Sequence, residues 1–193
     1  NGIRVGELYL QDYFRKRLKK IVEEKNRILV KVFNAAPLSF DEIYNKYQII
    51  AGKIKPYVCD TIELLNNALK NQKQVLFEGA QGSLLDVDFG TYPFTTSSNA
   101  TVCGAPAGTG VPPRQIHRVL GILKAYITRV GNGPLPSEMD DKLGSEIREK
   151  GGEFGATTGR PRRCGWFDVL AARYSSLING VDALIITKLD VLD

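Results

Sequence analysis

Three arginines follow a glycine- and threonine-rich turn in the segment EFGATTGRPRRCGWFD, which covers residues 153–168. A guanidinium group is planar and binds a carboxylate or a phosphate through two parallel hydrogen bonds, whereas a lysine offers only a point charge. Gly155 and Gly159 let the backbone turn its amides inward, and the threonines between them add hydroxyl donors. The segment therefore predicts a loop that binds a small molecule bearing carboxylates or phosphates. A basic loop that pairs with acidic neighbours is the alternative interpretation.

The segment TKLD near the end of the chain is a second candidate ligand site. Lys188 and Asp190 follow the apolar run DALIIT, and the four letters resemble the guanine-specifying motif of GTP-binding proteins, with Thr187 where asparagine is usual. In that arrangement the carboxylate accepts hydrogen bonds from the N1 and exocyclic amino protons of guanine, while the lysine stem covers the ring. Adenine lacks both matching donors and would be rejected. A surface turn after a strand is the alternative interpretation.

Other catalytic patterns are missing from the chain. It has no GxxxxGK[ST] phosphate loop and no serine or cysteine in a nucleophile setting. The single histidine, His117, is expected on the surface or in the packing of a helix that follows Pro113. Cys59, Cys103 and Cys164 are widely spaced without a zinc-binding pattern, so they predict free thiols in a reducing compartment and hence a cytoplasmic protein.

The overall charge favours anionic partners without identifying them. Lys and Arg number 26 against 21 Asp and Glu, a formal net charge of +5. The basic run RKRLKK suggests a nucleic-acid patch, but the leucine within it indicates the solvated face of a helix. The aromatic and basic interleaving of a stacking surface is also missing, so nucleic acid is not an expected partner. No apolar run approaches the roughly 20 residues of a membrane span, so no membrane contact is expected either.

Helical patterns fill the first part of the chain, and we predict a helical subregion over residues 1–73. Apolar residues repeat at helical spacing over residues 10–29. Ser39 with Glu42 three positions later is the capping-box pattern of a second helix, and Pro56 predicts the start of a third.

Short strands and helices alternate over residues 74–193, which predicts an α/β fold with a mostly parallel sheet flanked by helices. Residues 75–77 predict a buried strand, and a helix is predicted from Arg114 through Leu123, leading into the strand candidate AYITRVG. A short helix near residues 145–150, a helix over WFDVLAARYSSLING and a strand over DALIITKLD complete the pattern.

The sheet would gather the candidate ligand residues. Parallel sheets bind ligands at the carboxyl ends of their strands. Residues 78–81, the long loop containing Thr96, and the TKLD segment all follow predicted strands or lie on loops expected at that edge. We therefore expect these three segments to form one site.

Four segments together resemble the adenylosuccinate synthetase family, in the same order and with similar separations: VLFEGAQGSLLDVDFGTYPFTTSSNAT, GILKAYITRVGNGPLPSE, EFGATTGRPRRCGWFD and TKLDVLD. The resemblance covers nearly the whole chain. It implies a GTP- and Mg²⁺-dependent ligase of purine biosynthesis that joins IMP to L-aspartate, giving adenylosuccinate, GDP and phosphate. In that family the γ-phosphate first moves to the 6-oxygen of IMP, and the aspartate amine then displaces the phosphate. The resemblance also implies a cytoplasmic homodimer.

The resemblance implies a role for each matching residue. Gln81 in EGAQG would contact the 6-substituent of the purine and is the catalytic residue expected in this chain. Thr96 would bind the IMP phosphate, and Val130 would line the IMP ribose. The aspartate loop would consist of Thr157, Thr158, Arg160 and Arg162, with Arg160 also near IMP and Arg162 near GTP, and Lys188 and Asp190 would hold guanine.

The chain departs from the family pattern in two ways. Phe89 stands where a histidine is common. The family's GDEGKGK loop, which carries the catalytic aspartate and the magnesium contacts, and its NAGH histidine do not occur. We therefore expect a central fragment that is inactive by itself, with the magnesium ligands outside it and no metal ligand within it.

Overall fold

The computed structural model describes residues 2–156 and 159–193, and its contacts divide the chain into the units Asn1–Asp60 and Thr61–Asp193. Thr157 and Thr158 lie outside the described residues. None of the described helices combines the length and the apolar composition needed to cross a membrane.

The first unit consists of helices α1 (Gln11–Phe33) and α2 (Phe40–Ile54), with 3-10 helices at Val5–Tyr9 and Lys55–Tyr57. The amphipathic pattern of the sequence predicts α1 correctly. Its apolar residues Phe14, Leu18 and Val22 are buried and form the core of the unit with residues of α2 and the preceding 3-10 helix. Burial of this apolar stripe is the main source of stability for such a helix pair.

The two ends of α2 show how local sequence sets a helix boundary. Ser39 caps α2 as predicted, since its Oγ accepts a hydrogen bond from Glu42 N at 3.3 Å. The prediction for Pro56 is wrong, because this residue lies in the 3-10 helix that follows α2 and does not open a third helix. Helix α3 (Thr61–Lys70) begins after it.

The second unit begins with α3, whose Asn66 Nδ2 donates to Gly110 O at 3.3 Å. This helix therefore belongs with the residues that follow it, although the sequence placed it in the helical subregion. Its further elements are α4 (Gly104–Thr109), β1 (Leu120–Lys124), β2 (Ile127–Arg129), α5 (Asp141–Gly151), β3 (Arg163–Gly165), α6 (Val169–Asn179) and β4 (Ala183–Thr187), with 3-10 helices at Ser83–Leu85, Pro113–Gln115 and Leu189–Val191.

Two strand pairs organise the second unit and confirm the predicted α/β class. β1 and β4 are parallel, in register from Leu120 opposite Ala183 to Lys124 opposite Thr187. β2 and β3 are antiparallel, and they place Arg129 opposite Arg163. The parallel pair brings the ends of β1 and β4 to one edge, which is where the sequence predicts the TKLD segment.

Two predicted elements are wrong. Residues 75–77 form no strand, and Leu76 is 87% exposed. A strand needs a hydrogen-bonded neighbour, and no strand in the two described ranges pairs with this segment.

The helix predicted from Arg114 through Leu123 is replaced by a 3-10 turn at Pro113–Gln115 and by β1. A short apolar run is compatible with either helix or strand, and here the pairing with β4 decides. His117 consequently lies in an exposed segment before β1, outside any helix.

Candidate functional site

The three arginines lie on a hairpin that begins directly after α5. Gly152 has a φ of 63°, in the left-handed region that glycine adopts without strain, so the chain turns sharply there. Phe154 and Pro161 then form an antiparallel bridge, and Gly155 N donates to Arg160 O at 2.8 Å. We call the described residues 153–156 and 159–163 the arginine hairpin.

The carboxylate of Glu153 joins the arginine hairpin to the strand pairs. Glu153 is 1% exposed. Its Oε1 accepts hydrogen bonds from Tyr126 Oη at 2.7 Å and Lys124 Nζ at 2.9 Å, and its Oε2 accepts one from Arg162 Nη1 at 2.7 Å. Lys124 ends β1, so the network fixes the hairpin at the carboxyl edge of the parallel pair.

The network keeps its carboxylate ionised. Burial would raise the pKa of Glu153, but the hydrogen bonds from Tyr126 and Lys124, the charge of Lys124 and the hydrogen bond from Arg162 together hold it below its ordinary value. Burial lowers the pKa of Lys124, opposed by Glu153. Burial and the hydrogen bond to Glu153 raise the pKa of Tyr126 well above its ordinary value. Tyr126 is therefore a neutral donor at physiological pH.

The three arginines have different surroundings. Arg162 pairs with Glu153. Arg163 pairs with Glu138 and donates to Gly133 O at 2.9 Å. Arg160 is exposed, and within the described part of the chain its guanidinium has no hydrogen bond or ion pair. The alternative interpretation, a basic loop that pairs with acidic neighbours, therefore applies to Arg162 and Arg163. It does not apply to Arg160, whose charge is available to an anionic ligand.

The loop that carries Thr96 is built around a second buried carboxylate, Asp86, which is 0% exposed. Its Oδ1 accepts from Asp88 N at 2.9 Å and Phe89 N at 3.0 Å, and its Oδ2 accepts from Ala100 N at 2.7 Å and Thr101 N at 3.1 Å. One side chain thereby satisfies four backbone donors at both ends of the loop.

Thr96 lies inside this loop and contacts its beginning. Its backbone N and its Oγ1 both donate to Leu85 O, at 2.8 Å and 2.9 Å, and Ser98 N donates to its Oγ1 at 3.3 Å. The turn over Thr96, Ser97 and Ser98 therefore has a defined shape. The exposed Ser97 and Ser98 hydroxyls, which have no hydrogen bond to a described residue, are donors of the kind that bind phosphate.

Substitution of Asp86 by asparagine should lower the free energy of unfolding by about 3 kcal/mol, because an amide nitrogen would replace an acceptor and leave buried N–H groups unpaired. Thermal melting of the full-length protein measures the effect. Asp88→Asn, two residues away on an exposed carboxylate, is the control and should melt close to wild type. Equal melting of both variants would show that the Asp86 contacts do not hold the loop.

The loss of stability caused by Asp86→Asn should also depend on pH. Burial would raise the pKa of Asp86, but the four backbone donors hold it below its ordinary value. Because the folded-state pKa is depressed, the stabilisation is fully present above the unfolded value of about 3.9 and is lost as the pH falls through the folded-state pKa. The difference in melting temperature between wild type and Asp86→Asn should therefore stay constant from neutral pH to about pH 5 and shrink below about pH 4. A difference that shrinks between pH 7 and pH 5 would contradict this.

Arg129 connects the Thr96 loop to Val130. It is 8% exposed, and its Nη2 donates to Thr91 Oγ1 at 3.0 Å and to Phe94 O at 2.8 Å. Burial and the nearby charge of Arg163 lower its pKa. The half-exposed side chain of Val130 follows directly, so one buried cation brings two of the predicted IMP-binding segments together.

Gln81 and Lys188 share an uncommon backbone conformation, with φ values of 69° and 61°. Non-glycine residues in this region are often found at functional sites. Lys188 Nζ donates to Gly151 O at 2.7 Å, at the end of α5 beside the arginine hairpin. Asp190 is exposed on the 3-10 helix that Lys188 precedes, and this helix is anchored by buried Val191.

The structure joins two pairs of predicted site segments through shared contacts. Arg162 and Lys188 both contact residues at the end of α5, and Arg129 links Val130 to the Thr96 loop. The exposed side chains of Gln81, Arg160 and Asp190 make no hydrogen bond to another described residue. Among the arginines of this edge, Arg160 has no partner in the described ranges, and an unpaired guanidinium suits an anionic ligand.

Sequence analysis missed the residues that hold this arrangement, although the motifs contain them: Lys124, Tyr126, Arg129 and Glu153, as well as Asp86. Their importance depends on burial, which the sequence does not display. The one available signal was the acidic Glu153 at the start of a segment with three arginines.

The sequence was compared with protein-family models and with known proteins to identify the family of the chain. The adenylosuccinate synthetase family model matches residues 1–193. The adenylosuccinate synthetase of Koribacter versatilis is 54% identical over 192 residues, which are 100% of this chain and 43% of that protein. The Salinibacter ruber protein is 56% identical over 191 residues, 99% of this chain and 44% of that protein.

A solved structure, that of fully ligated adenylosuccinate synthetase from Plasmodium falciparum, has the same fold, with a TM-score of 0.91 at 40% identity over 100% of this chain and 44% of that chain. The chain thus spans less than half the length of these relatives. Motif order, fold and family model agree along the whole sequence, and the chain belongs to the adenylosuccinate synthetase family.

Proposed function

We propose that the full-length protein is a GTP-dependent ligase that joins IMP and L-aspartate to form adenylosuccinate. The observation that carries the proposal is the position of the arginine hairpin, which the Glu153 network fixes beside the TKLD segment at one edge of the parallel strands. This edge would hold the amino acid and the guanine nucleotide close together, as transfer between bound substrates requires.

The arginine hairpin would bind the aspartate substrate. Arg160 has an open guanidinium. Arg162 uses only Nη1 of its guanidinium on Glu153, and its remaining guanidinium N–H groups have no partner in the described ranges. Each can offer a carboxylate a charge-assisted hydrogen bond. Thr157 and Thr158, assigned to the same loop, lie outside the described residues. Arg160 would also approach IMP, and Arg162 the GTP phosphates.

The nucleotides would occupy the neighbouring segments. Thr96 would bind the IMP phosphate, Val130 would line the ribose, and Gln81 would contact the 6-substituent of the purine, where the phosphoryl group of GTP is transferred before the aspartate amine displaces it. Lys188 would cover the guanine ring, and Asp190 would accept its N1 and amino protons.

Magnesium would accompany GTP. Residues 2–156 and 159–193 contain no group of three or more His, Cys, Asp and Glu side chains that could hold a metal ion. As the family resemblance implies, the Mg²⁺ ligands would lie in the GDEGKGK loop outside this chain, and no role proposed above depends on a metal. We further infer that the full-length protein is a cytoplasmic homodimer, as the family resemblance implies.

A steady-state assay tests the proposal. The full-length protein should form adenylosuccinate only when IMP, L-aspartate and GTP are all present, and ATP should not replace GTP. The 193-residue chain alone should form none. Release of phosphate from GTP that is indifferent to IMP would indicate a plain GTP-binding switch and contradict the proposal.

A further inference from the structure

We propose that Glu153 is a positioning residue that sets the Arg162 guanidinium for the aspartate substrate, an inference that rests on the proposed function. The Oε2 atom of Glu153 contacts Arg162 alone, at 2.7 Å from Nη1, while Oε1 takes both other donors, Tyr126 and Lys124. Arg162 is thus held by one nitrogen, and the opposite edge of its guanidinium is directed away from the carboxylate.

The charges of the cluster also fit a dicarboxylic amino acid. Glu153 carries one negative charge and pairs with two cations, Lys124 and Arg162, so the network keeps one positive charge in excess. Arg160, on the same hairpin, adds a second. Together they supply two positive charges, which would balance the two carboxylates of an aspartate ligand. If Glu153 paired with Arg162 alone, only the charge of Arg160 would remain on the hairpin.

Packing holds the carboxylate in place from the other side. The side chain of Glu153 is 2% exposed, and Tyr126 is 2% exposed. A Cβ added at Gly151 would overlap the Tyr126 hydroxyl, so the end of α5 lies directly against this donor. The buried carboxylate thus offers Arg162 a hydrogen-bond acceptor that is in place before the ligand arrives, and such preorganisation lowers the entropic cost of binding.

A network with a purely structural role would predict a different kinetic result from a network that positions Arg162. Loss of structure affects all substrates, whereas loss of positioning affects the substrate that Arg162 contacts. Gln81, Thr96 and Val130, which carry most of the IMP contacts assigned here, form no hydrogen bond with Glu153. Arg160 is assigned to both substrates but does not pair with Glu153 either, so the KM for IMP is an internal reference.

In the full-length protein, Glu153→Gln should raise the KM for L-aspartate at least about tenfold and leave the KM for IMP within about twofold of wild type. Glu149→Gln, an exposed glutamate on α5, is the matched control and should leave both values unchanged. A Glu153→Gln variant with an unchanged aspartate KM, or with equal rises for aspartate and IMP, would overturn the inference.

Combination with Arg162→Leu tests whether Glu153 acts through Arg162. The double variant should have the same aspartate KM as Arg162→Leu alone, because the positioned group is already gone. Additive effects would overturn the inference. Should Glu153→Gln fail to fold, Glu153→Asp keeps the charge but withdraws the carboxylate by one methylene, and the same selective rise in aspartate KM is expected. A wild-type protein that forms no adenylosuccinate would instead refute the proposed function itself.

Discussion

Replacement of Arg160 by leucine in the full-length protein should raise the KM for L-aspartate about 100-fold or more and leave the melting temperature unchanged. Arg160 is the hairpin arginine whose guanidinium has no partner in the described part of the chain, so its charge is available to the ligand and contributes little to the fold. A charge-assisted pair with a carboxylate is worth about 3 kcal/mol, which corresponds to roughly 100-fold in affinity.

The matched control for this variant is Arg173→Leu. Arg173 is an exposed arginine of α6 outside every segment assigned to a ligand, and its loss should change neither the KM for aspartate nor turnover. Initial rates of adenylosuccinate formation at varied aspartate concentrations give both the KM for aspartate and the turnover number. Unchanged kinetics for Arg160→Leu would remove the assignment of the hairpin to aspartate.

Replacement of Asp190 by asparagine should change the nucleotide preference from GTP towards XTP. The carboxylate is expected to accept the N1 and amino protons of guanine, whereas an asparagine amide donates and therefore matches the second carbonyl of xanthine. The KM for GTP should rise about 100-fold through the loss of two charge-assisted hydrogen bonds, and XTP should become the better phosphoryl donor.

Asp141→Asn, an exposed aspartate in the first turn of α5, serves as the control and should keep the GTP preference. Rates are compared with GTP, XTP and ATP at saturating IMP and aspartate. An Asp190→Asn variant that still prefers GTP would show that guanine is recognised elsewhere.

The elements that the sequence predicted well are those fixed by local signals. Helix α1 has a buried apolar stripe at Phe14, Leu18 and Val22, and α2 has a serine cap whose partner lies three residues away. Both can be recognised without knowledge of the rest of the fold. Strand β4 is an uninterrupted β-branched and apolar run that is too short for a typical helix.

The elements that the sequence missed depend on distant partners. Strand β1 looks like the continuation of a helix until its register with β4, more than 60 positions later, is known. Residues 75–77 look like a strand but have no neighbour to pair with in the described ranges. Neither case is decided by residue type, because strand formation depends on what lies beside the segment.

In the candidate site, too, some residues can be recognised from local sequence and others only from their distant partners. Motifs identified the residues that would contact ligands, such as Arg160, Lys188 and Thr96, because their chemistry is visible in their side chains. The buried residues Glu153, Asp86 and Arg129 hold the surrounding segments through hydrogen bonds to residues far away in the sequence, and sequence motifs do not display such contacts. Only the folded structure reveals that a carboxylate has four backbone donors around it.

The central claim is that the arginine hairpin binds the aspartate substrate next to the purine nucleotide. A crystal structure of the full-length protein with IMP and L-aspartate tests it most directly. The carboxylates of aspartate should lie about 3 Å from the guanidinium nitrogens of Arg160 and Arg162, with Arg162 still paired to Glu153. Aspartate bound at another part of the protein, with both guanidinium groups directed away from it, would contradict the claim.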